Sequence, residues 1–77
     1  KPCAVYPNPA SEYVDIQSAR TMTEIRIFSE EGRLVWSKMS VNANKEKISV
    51  AAFSAGLYFI QIIDNKGFVT RKKIIIM

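Results

Sequence analysis

The stretch FSAGLYFIQIIDNKGFV, residues 53–69, decides the fold of this chain. Side chains of residues 57–63 alternate between two faces, and both faces are mainly apolar, which predicts a β-strand in the centre of its sheet. The DNKG segment that follows contains Asn65 and Gly67, residue types that tolerate the positive φ values of tight turns. We therefore predict a β-hairpin whose second strand runs from about Phe68 to the end of the chain.

Upstream of this hairpin the same alternation recurs in four segments, residues 11–17, 24–29, 33–38 and 46–50. We expect Leu34 and either Val35 or Trp36 to face inward. SEEGRLVW, with Gly32 between two β-favouring runs, predicts another hairpin turn, and VNANKEK predicts a polar loop. Residues 50–55 are too few for a helix and lack a cap. The pattern predicts an all-β fold, an antiparallel β-sandwich of about six or seven short strands.

The N-terminal segment KPCAVYPNP is predicted to be irregular, because proline cannot pair in a central strand. Its abrupt start, without a signal peptide, leads us to expect a fragment of a longer protein whose targeting signal lies upstream. The 77 residues, 48% hydrophobic and 23% charged, suit a single folded domain. No apolar run approaches the roughly 20 residues that a membrane-spanning helix needs.

Composition argues against catalysis and against the common kinds of site. The chain contains no histidine, the commonest general base and neutral metal ligand, and its three glycines are explained as turn residues. Cys3 is the single cysteine, which excludes an internal disulfide and a cysteine-based metal site. The net charge of +4 comes without a basic helix or a stacking platform, so we expect no nucleic-acid partner. We therefore predict no enzyme, no cofactor and no metal.

The last strand leaves an alternative open. Its two faces, each polar in the middle and apolar at the end, are formed by Phe68, Thr70, Lys72, Ile74 and Ile76 and by Val69, Arg71, Lys73, Ile75 and Met77. A bulge near Lys72 and Lys73, or burial on both sides, would hide all four terminal apolar side chains. Otherwise an open strand presents its backbone edge and aliphatic side chains to another molecule, a known mode of recognition.

Four motifs occur in order along the chain: VYPNPASEYVDI from Val5, IRIFSEEGRLVW from Ile25, ISVAAFSAGLYFIQI from Ile48, and KKIIIM from Lys72. Their order, spacing and terminal position resemble the C-terminal sorting domain, type A, of cargo proteins exported by the type IX (Por) secretion system of Bacteroidetes. The resemblance covers essentially the whole chain.

The resemblance implies an immunoglobulin-like β-sandwich of seven strands, formed by residues 5–77, with residues 1–4 as the end of a linker from an upstream cargo domain. The cargo would cross the periplasm, and the outer-membrane translocon with its shuttle components would then recognise the sorting domain. A surface sortase would remove the domain and join the cargo to lipopolysaccharide, at the outer-membrane surface or outside the cell. The cut would fall at or upstream of Lys1, Pro2, Cys3 and Ala4.

The resemblance also assigns roles to particular residues. Translocon recognition is expected at Lys72, Lys73, Ile74, Ile75, Ile76 and Met77. Mainly structural roles are expected for Tyr6, Pro7, Asn8, Pro9, Gly32, Gly56, Tyr58 and Gly67, as turn residues or packed side chains. The alternative function is a retained immunoglobulin-like module that binds protein or glycan at the cell surface. A homodimer through the terminal strand is a further possibility.

Overall fold

The computed structural model describes residues 3–77, and this part of the chain is all-β, with its five strands paired antiparallel. Its strands are β1 (Cys3–Tyr6), β2 (Tyr13–Ser29), β3 (Leu34–Ser49), β4 (Gly56–Asp64) and β5 (Val69–Ile76). The predicted fold class is therefore confirmed. Nothing in this part of the chain is a helix long and apolar enough to cross a membrane.

The two long strands β2 and β3 form the centre of the fold. On one edge of β2, β1 pairs with residues 15–18 and β4 pairs with residues 22–29; β3 follows the other edge, and β5 pairs with β4. One layer contains β1, the first half of β2 and the second half of β3. The second layer contains the other halves of β2 and β3 with β4 and β5. The short strands predicted from the sequence are thus five continuous ones, because β2 and β3 each run through both layers.

A bulge in β2 lets both of its halves face the same core. The buried residues are Val14 and Ile16 in the first half and Ile25 and Ile27 in the second, so the alternation changes from even to odd positions. The register of β2 against its neighbours shifts on either side of Met22. An extra residue in one strand reverses which side chains point inward. Isoleucines, valines and Met22 from both layers then form one continuous core.

Three details of the sequence prediction are wrong. VNANKEK lies within β3 and is not a loop, because β3 is a sheet edge whose polar side chains face water while its backbone pairs with β2. Leu34 is exposed, as is Val35, whereas Trp36 packs against the core as one alternative predicted. The N-terminal segment is not irregular throughout, since β1 begins at Cys3 and its prolines follow the strand rather than interrupt it.

The predicted linker overlaps this first strand. Cys3 pairs with Ser18 and Ala4 with Gln17 in the β1–β2 ladder. Lys1 and Pro2, the other residues of the predicted linker and of the predicted cleavage region, lie outside the described residues. The domain boundary itself stays a prediction.

Candidate recognition site at the C-terminal strand

The end of β5 alternates strictly between core and surface. Ile74 and Ile76 are 1% and 2% exposed, whereas Ile75 and Met77 are 47% and 74% exposed. The pairing of β5 with β4 is continuous from Val69 to Ile76, without a register shift. The two expectations that would have hidden the tail, a bulge at Lys72 and Lys73 or burial on both sides, are therefore wrong.

The outward backbone edge of this segment is already occupied by the chain itself. The Asn8 side chain accepts a hydrogen bond from Ile75 N (3.0 Å) and donates one to Lys73 O (3.4 Å). Ala10 N donates to Ile75 O (2.9 Å), and Met77 N donates to Ala10 O (2.8 Å). Asn8 and Ala10 thus replace a neighbouring strand. The expectation that the aliphatic end presents an open backbone edge is wrong, and what it presents is side chains.

The YPNP motif is built around this contact. Tyr6-Pro7 and Asn8-Pro9 are both cis peptide bonds, and the motif leads from β1 to the edge of β5. Proline has no N–H, so the backbone of Pro7 and Pro9 cannot extend a β ladder and the Asn8 amide provides the hydrogen bonds instead. At the start of the motif, the Tyr6 hydroxyl donates a hydrogen bond to Gln17 Oε1 of β2 (3.3 Å).

We expect Asn8→Ala to lower the free energy of unfolding by about 1 kcal/mol, because two hydrogen bonds at a solvent-accessible edge are lost. At pH 7 Asn8→Asp keeps the acceptor for Ile75 N and loses only the donor to Lys73 O, so it should be less destabilising than Asn8→Ala. Urea unfolding at pH 7 measures both variants. Equal stability of Asn8→Ala and the unsubstituted protein would contradict the edge contact.

Tyr58 and Gly56 shape the turn that leads into β4. The Tyr58 hydroxyl donates to Ser54 O (2.7 Å), and its ring lies 5.4 Å from that of Phe53. Gly56 has a φ of 152°, a backbone conformation that a side chain would strain, although a Cβ there would meet no neighbour within 4 Å. Gly32 and Gly67 have positive φ in the turns after β2 and β4. All four residues thus shape turns or pack in the fold, and their role as structural residues stays a prediction.

The turn between β4 and β5 is held by Asp64. Its Oδ1 accepts hydrogen bonds from the backbone N–H of Lys66 (2.9 Å) and Phe68 (3.0 Å), and Arg20 lies 3.5 Å from Oδ2. Burial alone would raise the pKa of the Asp64 carboxyl. The hydrogen bonds from Lys66 and Phe68, together with Arg20, outweigh it and place that pKa below its ordinary value.

This shift predicts a pH dependence of stability. Because the pKa of Asp64 is lower in the folded than in the unfolded chain, its stabilising effect is complete above the ordinary value of 3.8 and is lost as the pH falls through the folded value. Between pH 5 and pH 2, Asp64→Asn should therefore lose less thermal stability than the unsubstituted protein. Melting temperatures across this range measure the difference, and parallel pH profiles would contradict it.

Cys3 and Lys72 lie near each other on the inner side of the edge strands. Burial raises the pKa of the Cys3 thiol, and the charge of Lys72 and a hydrogen bond with Ser18 offset this only in part. A raised pKa keeps a thiol mainly protonated at neutral pH, and the protonated form is a poor nucleophile. Within residues 3–77, no three histidine, cysteine or acidic side chains lie together as metal ligands.

The outward side chains of β4 and β5 form a surface that we call the outer face: Leu57, Phe59, Gln61, Ile63, Val69, Arg71, Lys73 and Ile75. They face each other in cross-strand pairs, Leu57 with Ile75, Phe59 with Lys73, Gln61 with Arg71 and Ile63 with Val69. β4 lies between β2 and β5, as its two apolar faces predict, but its outward side chains are only half-buried, because no second layer of the described residues covers them. Apart from Lys73 and Ile75, these residues were not predicted as site residues.

A family sequence model and a curated protein are both similar to this chain. The sequence model of the family described as "Secretion system C-terminal sorting domain" matches residues 4–77. β-Agarase A of Zobellia galactanivorans is 35% identical over 60 residues, which are 75% of this chain and 11% of that protein. The chain therefore spans about a tenth of the length of this curated relative.

Solved structures show the same fold. PorZ, described as an essential surface component of the type IX secretion system of Porphyromonas gingivalis, superposes with a TM-score of 0.80 at 20% identity. The match covers 97% of this chain and 11% of PorZ. CopC of Methylosinus trichosporium OB3b has a TM-score of 0.55 at 12% identity, with 99% of this chain and 87% of CopC covered. With a match from Ala4 to the last residue, the chain belongs to the family of secretion system C-terminal sorting domains.

Proposed function

We propose that this domain is a sorting signal that directs an attached cargo protein through the type IX outer-membrane translocon. The observation that carries the proposal is the family match over residues 4–77. The similar segment of β-agarase A is a small part of a much longer protein, which supports a cargo domain upstream of this one. The route would run through the periplasm, with shuttle components and the translocon as partners, to the cell surface or the medium.

The domain would be recognised as a folded, non-catalytic structure. Of the residues expected to contact the translocon, Lys73, Ile75 and Met77 have exposed side chains, and Lys72 is half-buried. Ile74 and Ile76 are part of the core and would act by holding β5 in place. A homodimer through the edge of β5 would have to avoid the segment that Asn8 and Ala10 occupy.

Sortase cleavage and attachment of the cargo to lipopolysaccharide are part of the same proposal. A protease needs an accessible, unpaired segment, and β1 is paired from Cys3 onward. This favours a cut upstream of Cys3 over one at Cys3 or Ala4. Mass spectrometry of the cargo recovered from the cell surface identifies its new C-terminus.

One observation favours the alternative of a retained surface module. The PorZ structure contains a segment of this fold within a protein that is described as a surface component. A domain of this kind can therefore remain attached. Recovery of surface cargo that still contains residues 3–77 would support retention, with binding of protein or glycan as the resulting role.

The proposal is tested by gain of export. A periplasmic reporter with a signal peptide is fused to residues 1–77 and expressed in a Bacteroidetes host that has the type IX system. We expect the reporter to become accessible to an external antibody on intact cells, while the reporter without the domain stays in the periplasm. Periplasmic retention of the fusion, with the domain folded, would overturn the proposal.

A further inference from the structure

We propose that the export machinery reads the outer face by its side chains, and that the occupant is a protein surface that combines apolar residues with carboxylates. This inference rests on the proposed function and names the surface and the chemistry through which it operates. The partner would contact side chains of the outer face and would not add a strand to the backbone edge of β5.

The backbone edge at the end of β5 is closed. Asn8 and Ala10 use the outward backbone groups of Lys73, Ile75 and Met77. Strand addition depends on such groups being free to pair with the incoming segment. A partner that contacts the end of the chain without unfolding it must therefore use side chains.

Much of the outer face is apolar, and this apolar surface continues onto the neighbouring strands. Val69 and Ile75 at its β5 side are exposed, and their partners Ile63 and Leu57 are half-buried. Phe59 is paired with Phe28 of β2, which in turn is paired with exposed Leu34 of β3. An apolar surface that runs across neighbouring strands, rather than single scattered side chains, is typical of an interaction site.

The outer face also carries two positive charges. Arg71 and Lys73 are exposed neighbours on the outward side of β5, with Val69 and Ile75 on either side of them. Among the described residues, the ion pairs are Arg20–Asp64, Arg26–Glu24 and Lys38–Glu46, so neither Arg71 nor Lys73 forms an ion pair with a carboxylate of this part of the chain. Complementary charge guides encounter and register at an interface, which points to acidic groups on the partner.

These observations favour a protein partner over the other occupants. Two copies of the outer face would bring Arg71 and Lys73 of each copy towards the same charges on the other, which is unfavourable. A bilayer would have to receive apolar side chains at a depth of about 5–10 Å. Phe28 and Phe59 are half-buried within the sheet, so they do not project that far.

The test uses the reporter fusion with two charge-reversal variants. Arg71→Glu/Lys73→Glu changes the outer face, and Lys45→Glu/Lys47→Glu makes the same charge change at exposed lysines of β3 in the other layer. We expect the outer-face variant to lower the surface-exposed fraction of the reporter at least tenfold and the β3 variant to lower it less than twofold. Ile75→Ser, which changes no charge, should lower it at least fivefold. Thermal melts of the purified domains confirm that each variant is folded.

The outcomes separate this inference from the proposed function. Failure of the unsubstituted fusion to reach the surface would overturn the proposed function. Normal export of folded Arg71→Glu/Lys73→Glu and Ile75→Ser, or equal losses for both charge-reversal pairs, would overturn the outer face alone. So would a dimer of the purified domain that Ile75→Ser dissociates in sedimentation. Binding to phosphatidylglycerol–phosphatidylcholine vesicles that the outer-face variant abolishes would make the occupant a lipid and overturn the protein partner.

Discussion

Replacing Ile74 with alanine should lower the free energy of unfolding by about 2–5 kcal/mol. Ile74 is 1% exposed and lies opposite Tyr58 in the β4–β5 ladder, within the single core. Removing its outer carbons leaves a cavity that the close-packed surroundings fill only in part. Against a total stability of about 5–15 kcal/mol for a small domain, this is a large fraction, and urea unfolding measures it directly.

Ile75→Ala is the matched control, because it removes the same atoms one position further along the same strand. Ile75 is 47% exposed and packs against no second layer, so we expect a change within about 0.5 kcal/mol. Similar losses for the two variants would contradict the strict alternation of β5. The same two variants are useful controls in export experiments. Ile74→Ala can reduce export by unfolding the domain, whereas Ile75→Ala leaves the domain folded.

Tyr58→Ala should be at least as damaging, with a loss of about 3–5 kcal/mol. Tyr58 belongs to the buried core, contacts the Phe53 ring, and ties the turn before β4 through its hydroxyl. Alanine would remove all three interactions and leave Ser54 O without this donor. The melting temperature and the urea midpoint should both fall, because the β4–β5 hairpin starts at this turn.

Tyr58→Phe separates the hydroxyl from the ring. It keeps the core packing and removes one hydrogen bond, so we expect a loss of about 1 kcal/mol. A loss for Tyr58→Phe as large as that for Tyr58→Ala would show that the ring contributes little and would contradict the packing seen here.

Much of the fold follows from local patterns. The alternation of residues 57–63 and the turn at Gly67 predict the β4–β5 hairpin, and Gly32 predicts the turn between β2 and β3. The same patterns could not show that β2 and β3 are continuous strands. Their middle sections are polar because they lie at a bend and an edge, and polar residues between strands are equally typical of a loop.

The site was harder to predict. Alternation in the last strand predicts that some of its isoleucines are exposed, but it does not show which ones. That depends on which face of β4 packs against the core. The closed edge depends on Asn8 and Ile75, which are 67 positions apart and meet only in the folded chain. The outer face did leave a signal, the second apolar face of β4. That pattern correctly predicts a position inside the sheet, between β2 and β5. It does not show that one face stays uncovered, because a strand's position within a sheet and its coverage by a second layer give the same sequence pattern.

The most direct test of the central claim is the surface-exposed fraction of the reporter fusion in a host strain whose type IX translocon has been deleted. If the folded domain is a signal that this translocon reads, surface exposure should fall to the level of the reporter without the domain, and the fusion should accumulate in the periplasm. Unchanged surface exposure in the deletion strain would contradict the account.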